Sequence, residues 1–380
     1  MSLKKNVIFS VLISILSNIL GATVWASEGK DDPLYFPMIA GFKGTTPEDA
    51  GVKDLVEALK SGYISGVIFF RHNIVDPDQV RTLTRLFLDA SGDLPCLIAI
   101  DQEGGKVQRL RKMAGHDDFH DVPSAETMGN LYRQEGEEAV RIIYDAAATQ
   151  LRDAGFNYVL GPVADLLNPI SPVIARHQRA YSADPKEVSA CGKIFVTAHR
   201  DQGIASSPKH FPGHGNAAGD THEGFVDVSQ SYQAEERVPF EDLIQEKCAD
   251  SLMMAHIFNK KWDETWPASA SPYVIQTMLR EEMAYEGVLI NDDICMGAIV
   301  DHWSIPDMSA QMVRAGIDLL LCSYNGAAAQ GKKALPETAY TPAAMQTFLK
   351  ESLGEALYKE RCSASSDRVR RLRQMLFKTW

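Results

Sequence analysis

Positive charge is in short supply: 38 Lys and Arg face 50 Asp and Glu, for a formal net charge of −12. That deficit argues against nucleic acid as a partner and against broad adhesion to anionic surfaces. No CxxC spacing occurs among the six cysteines, Cys96, Cys191, Cys248, Cys295, Cys322 and Cys362. Spacing therefore gives no zinc ribbon and no redox motif, and buried free thiols are the plain reading; export would permit disulfides without demanding them. No GxGxxG follows the first strand-like run, which weakens a dinucleotide reading. Low-complexity tracts, short repeats and a second sugar-binding or nucleotide domain are also missing.

Long apolar runs are absent with one exception, residues 7–22, which follow Lys4 and Lys5. This run is serine-bearing and short of the roughly 20 apolar residues that a comfortable span needs, so no stable membrane span is expected. Val24-Trp25-Ala26 offers small residues where a signal peptidase cleaves, ahead of Ser27. Residues 1–26 are read as an export signal, giving a periplasmic or secreted product; a retained N-terminal anchor is the alternative. No cysteine follows the run to carry a lipid. Cleavage removes two lysines and no acids, leaving the body more acidic. Residues 27–380 suit one α/β barrel domain of about 250 residues plus insertions, with helices from about 340 and a monomeric state expected.

Eight short apolar runs recur: 36–40, 66–70, 96–100, 157–163, 206–208, 252–255, 288–290 and 318–322. Helix-like stretches such as 77–89, 135–154, 185–202 and 308–315 alternate with them. Continuous apolar strands joined by helices imply a parallel sheet buried on both faces. Eight such units predict a single (β/α)8 TIM barrel, with an open doubly wound sheet as competitor. Near the end, Ser366 is placed to cap a helix from Asp367, with Val369, Leu372 and Leu376 on one face.

Polar residues gather at the C-terminal ends of these runs, the barrel face where active sites form. Residues 209–222, KHFPGHGNAAGDTH, hold three histidines, a lysine and an aspartate among glycines and a proline. Such a stretch is no regular helix and reads as a strand end leading into a long mobile loop with ionisable groups. Asp292 and Asp293 end the seventh run. If Val288 and Ile290 point inward, so does Asp292, while Asp293 points away. An inward carboxylate there suits attack on an anomeric carbon, or stabilisation of positive charge on it; a helix N-cap is the bland alternative for each. Asp101 and Arg109, in DQEGGKVQRL, suit binding of sugar hydroxyls, or else form an internal salt bridge. Asp220 stands two residues before His222, where a carboxylate fixes an imidazole's tautomer and raises its basicity for acid–base work. Zinc on His210, His214, Asp220 and His222 is the other reading, disfavoured by spacing and by Lys209, so no metal or other cofactor is expected.

KHFPGHGNAAGDTH, IAIDQEGGKVQRL, GVIFFRHN and GVLINDDICM together resemble the glycoside hydrolase family 3 β-N-acetylglucosaminidases of NagZ type, over about residues 36–325. The resemblance implies a (β/α)8 barrel and retaining, exo-acting removal of terminal N-acetylglucosamine. It implies Asp292 as nucleophile, His222 as acid/base and Asp220 as its partner. It implies that Asp101, Arg109, Lys209, His210 and Arg179 bind the sugar. The chain departs from the pattern at Asn291, where serine is usual, at the irregular segment 173–179, and in its export signal. N-acetylglucosamine-containing glycans or muropeptides are the expected partners. A phosphorylase using the same residues, a silent sugar-binding protein, and a β-glucosidase are the competing readings.

Overall fold

The computed structural model describes residues 35–112, 119–324 and 341–377; the proposed signal and Asn325 lie outside them. Every one of the eight apolar runs carries a strand. One parallel sheet has the order β13-β1-β2-β3-β6-β7. Its strands are β1 (Met38–Gly41), β2 (Gly66–Phe69), β3 (Leu97–Ile100), β6 (Tyr158–Val159), β7 (Ala205–Ser206) and β13 (Leu320–Cys322). A second sheet orders β12 (Val288–Asn291), β10 (Ser251–Met254) and β8 (Lys209–Phe211), also parallel. Two short pairs complete the strands: antiparallel β4 (Gln102–Gly104) with β5 (Val107–Gln108), and parallel β9 (Val226–Asp227) with β11 (Ile257–Phe258).

The strand pairing thus falls into two sheets, where the sequence predicts one closed barrel. Isolated bridges join them at Val163–Lys209 and Ile290–Leu319. At the junction of β7 with β8 the physical reason is proline. Pro162 and Pro208 lie at the junction and offer no amide donor to a ladder, so the fifth run splits into β7 and β8.

Side chains alternate as a parallel sheet buried on both faces requires. Ile39, Ile68, Leu97, Ala99, Tyr158, Met253, Val288, Ile290, Leu319 and Leu321 form an inner cluster. Val67, Phe69, Ile98, Ile100, Leu252, Met254, Leu289 and Leu320 pack outward against helices. These helices are α1 (Ala50–Lys60), α2 (Pro77–Asp89), α3 (Ala125–Glu135), α4 (Glu137–Asp153), α5 (Pro185–Asp201), α6 (Val238–Gln245), α7 (Gly297–Val300), α8 (Ile305–Ala315), α9 (Pro342–Leu353) and α10 (Glu355–Phe377). A π-helix, Tyr273–Glu282, lies between β11 and β12. Several helices start alike: Asp76, Asp184, Ser304 and Thr341 cap the first turn, with proline just inside.

Two helix expectations need correction. The stretch 135–154 is broken by Gly136, whose φ of 86° ends α3 and opens α4. Ser366 caps nothing: α10 runs through it from Glu355. The apolar stripe was placed correctly, because Val369, Leu372 and Leu376 of α10 join the inner cluster. Arg368 Nη1 of α10 donates to Asp318 at 3.1 Å, and Arg373 Nε to the Pro95 carbonyl at 2.7 Å, holding the helix beneath the strands.

Candidate active site

β12 delivers Asp292. Since Val288 and Ile290 belong to the inner cluster and Leu289 to the outer, alternation turns Asp292 inward. Asn291 exchanges two 3.0 Å hydrogen bonds with the Leu321 backbone and donates to the Asp292 carbonyl at 2.7 Å. The departure from serine thus clamps β12 to β13. Asp292 Oδ1 accepts from the Asp293 amide at 2.8 Å, and no cation bonds this carboxylate among the described residues. Burial pushes its pKa up, but His210, His256, His222 and Lys209 outweigh that and hold it below the ordinary carboxylate value.

Asp293 is 8% exposed, and burial raises its pKa. Its carboxyl accepts from the Ser323 amide at 3.0 Å, the Cys295 amide at 3.2 Å and the Ser323 hydroxyl. It closes the turn before α7 and ties that turn to β13; it does not cap the helix.

Below lies a floor of paired charges. The β4–β5 hairpin turns at Gly104 and Gly105, with φ of 98° and 56°, and brings Arg109 back to Asp101 at 3.0 Å. Lys209 Nζ reaches Asp101 at 2.9 Å and Glu103 at 2.7 Å. Arg179 grips Glu103 through Nε at 2.7 Å and Nη2 at 2.8 Å. Its Nη2 also lies 3.4 Å from His210 Nε2, and His210 Nδ1 lies 2.7 Å from Asp165. Lys209 and His210 both reach this floor, where the β8–β10 register shifts between Met253 and Met254. Burial would raise both acids; instead Lys209 with Arg109 pulls Asp101 far down, and Arg179 with Lys209 brings Glu103 to about 2. Burial opposes the charge on Lys209, yet Asp101 and Glu103 raise its pKa.

The loop after β8 carries the third part. His222 Nδ1 lies 2.8 Å from Asp220 Oδ1, which also accepts the His222 amide at 2.8 Å. Burial lowers the imidazole pKa, but the Asp220 hydrogen bond and the Asp292 and Asp220 charges outweigh it, so His222 sits above its ordinary value. No described residue bonds Nε2, and the side chain is 42% exposed. The loop rests on the first turn of α7: the Gly297 amide donates to the His222 carbonyl at 3.2 Å, and Ala298 to Thr221 at 2.9 Å. A Cβ on Gly297 would meet that carbonyl oxygen at 2.4 Å, so only glycine lets the loop lie this close. The helix holding the loop begins five residues after Asp292.

All eight residues singled out in the sequence therefore fall into two groups: Asp101, Arg109, Arg179, Lys209 and His210 in the floor, and Asp220, His222 and Asp292 at its rim. His210 Nδ1 and the His214 amide turn to Asp165, while His222 Nδ1 turns to Asp220. Three contributors had been passed over. Glu103 stands two residues after Asp101, on the same side of an extended chain, a signal that was legible. Asp165 and His256 stand just after the fourth and sixth apolar runs. His256 is buried, with Nδ1 2.8 Å from Ser269 Oγ and Nε2 3.1 Å from the Asp293 carbonyl. Among the described residues, Arg109 Nε and His214 Nδ1 are buried without a hydrogen-bond partner. Burial brings His214 down to about 4. Unsatisfied polar atoms beside an uncommitted carboxylate suit a polyhydroxylated ligand.

A strand-end carboxylate within electrostatic reach of a carboxylate-supported imidazole can supply nucleophilic and acid–base chemistry. Residues 43–349 match the glycosyl hydrolase family 3 N terminal domain, and the chain belongs to that family. It is 32% identical over 281 residues to a β-hexosaminidase of Methylococcus capsulatus, covering 73% of this chain and 81% of that one. A β-hexosaminidase of Alkalilimnicola ehrlichii is 33% identical over 281 residues, covering 72% and 78%. Among solved structures, a family 3 β-N-acetylglucosaminidase from a Paenibacillus species superposes with a TM-score of 0.75 at 30% identity. That match takes in 90% of this chain but 61% of the Paenibacillus protein.

Proposed function

We propose that the protein is a retaining exo-β-N-acetylglucosaminidase that releases terminal non-reducing N-acetylglucosamine, with peptidoglycan fragments as substrate. One observation carries this reading. Asp101, Glu103 and Asp165 are each bonded to a cation or an imidazole, whereas Asp292 has no such partner among the described residues. The names of the matched relatives supply the sugar.

Asp292, ionised, attacks the anomeric carbon while protonated His222 gives its proton to the departing glycosidic oxygen. A covalent glycosyl-aspartate results. His222, now neutral, takes a proton from water, and the resulting oxygen nucleophile displaces Asp292 with net retention. Asp220 holds Nδ1, leaving Nε2 for both transfers. Asp101, Arg109, Lys209, His210 and Arg179 orient the ring through charge-assisted hydrogen bonds. An imidazole in place of the usual second carboxylate repels an approaching anion less, which favours anionic muropeptides. The acidic body favours soluble fragments over the intact anionic wall.

The two sheets are read as one eight-stranded barrel, supported by the bridges Val163–Lys209 and Ile290–Leu319 and by the shared inner cluster. Export by way of residues 1–26 places the enzyme in the periplasm or outside the cell. A mechanism-based fluorinated N-acetylglucosaminyl fluoride tests the chemistry: the label belongs on the peptide holding Asp292. Label elsewhere, or product released with inverted configuration, would overturn the assignment. Running the assay with phosphate separates hydrolysis from phosphorolysis, since a sugar 1-phosphate would mark a phosphorylase.

A further inference from the structure

Behind the Asp292 turn, two buried thiols meet. Cys295 Sγ lies 3.6 Å from Cys322 Sγ, and the residues are 0% and 3% exposed. Cys295 follows Asp293 by two residues; Cys322 ends β13 and precedes Ser323, which holds the Asp293 carboxyl. The Asn291 and Asp293 bonds already fix the two segments against each other, so the sulfurs are brought together by surrounding structure. The other four cysteines, Cys96, Cys191, Cys248 and Cys362, have no sulfur neighbour among the described residues.

We propose that Cys295 and Cys322 form a disulfide when the chain folds in the presence of a disulfide oxidant, and that this crosslink pins the Asp292 turn to β13. The oxidant is a small-molecule or protein disulfide, of the kind active in the compartments that exported proteins reach. One cysteine, as thiolate, attacks the oxidant and displaces one thiolate from it, leaving a mixed disulfide. The second attacks that mixed disulfide, forms the Cys295–Cys322 bond and displaces the other thiolate. Two electrons pass to the oxidant's sulfurs, and the two thiol protons end on its released thiols. Exchange occurs before the core closes, because the finished fold buries both sulfurs and buried thiols are inert.

The test counts thiols and does not depend on the role of Asp292. The full chain is refolded in a glutathione redox buffer, denatured, alkylated and weighed. Four alkylated cysteines are expected, with one peptide pair joining Cys295 to Cys322, against six after reduction. Cys295→Ser should give five alkylated cysteines, and the oxidised wild type should melt several degrees above its reduced form. Six alkylated cysteines in the refolded wild type, or a crosslink between other positions, would overturn the proposal.

Discussion

Two sets of ionisable groups share the ends of the same strands and are built on opposite plans. In the floor, Asp101 and Glu103 pair with Arg109, Arg179 and Lys209 in contacts of 2.7–3.0 Å. At the rim, among the described residues, Asp292 pairs with no cation and the His222 ring bonds only Asp220. The floor is locked by mutual pairing and its charges survive any moderate pH. The rim is left able to gain and lose protons. The proposed function, which holds a neutral sugar still and moves a proton at its edge, calls for both plans in adjacent places.

The sharpest break in this comparison is Asp292→Ala, which removes an inward carboxylate that pairs with no cation among the described residues. Turnover should fall about 10⁴-fold or more with the melting temperature unchanged; near-normal turnover in a folded variant would take Asp292 out of the role. His222→Ala comes next, with kcat down about 10²–10⁴-fold and a smaller loss on substrates whose leaving group needs no proton. Equal losses on good and poor leaving groups would show that His222 donates none. Gly297→Ala leaves every charge in place and pushes the loop off α7. A displacement of the order of 1 Å should cost up to about 10²-fold in kcat, with little change in KM for a minimal glycoside.

The floor answers differently. Glu103→Gln leaves Lys209 and Arg179 short of a buried counter-charge, and should destabilise the fold by about 3–5 kcal/mol in urea unfolding. A variant as stable as the wild type would mean that the floor is not closed by pairing. The floor also sets an acid limit. Glu103 is held at about 2 against an ordinary 4.5, so its pairing contributes fully above the ordinary value and is lost as pH falls toward about 2. Melting temperature should therefore drop below about pH 4.5, and less steeply in Glu103→Gln. The smallest effect is at the rim. The acid limb of kcat/KM should lie below the ordinary carboxylate value, because Asp292 is lowered, and the alkaline limb above 6.5, because His222 is raised. Asp220→Asn should move only the alkaline limb, and downward.

The rim was more legible in the sequence than the floor. Asp292 could be aimed because strand parity from Val288 and Ile290 is a local rule, and Asp220 reveals itself by standing two residues from His222. The eight strands were legible for the same reason, since short apolar runs between helical stretches are a local pattern. The floor is a set of long-range contacts: Glu103 meets Arg179 across 76 positions, and His210 meets Asp165 across 45. Nothing near Glu103 in sequence announces Arg179. The division into two sheets escaped notice because Pro162 and Pro208 sit inside apolar runs that otherwise look continuous. The helical stretch from about 340 was legible, but Ser366, a plausible cap by residue type, lies inside α10 and not at its start.

Val369, Leu372 and Leu376 belong to the same cluster as Ile39 and Ile68, more than three hundred positions earlier. That kinship sets an order of events. The innermost packing of the molecule stays wet on one side until residues near 376 have been made and have swung back under the strands. A chain that stops short of this helix leaves the inner faces of β1 and β2 without part of their cover.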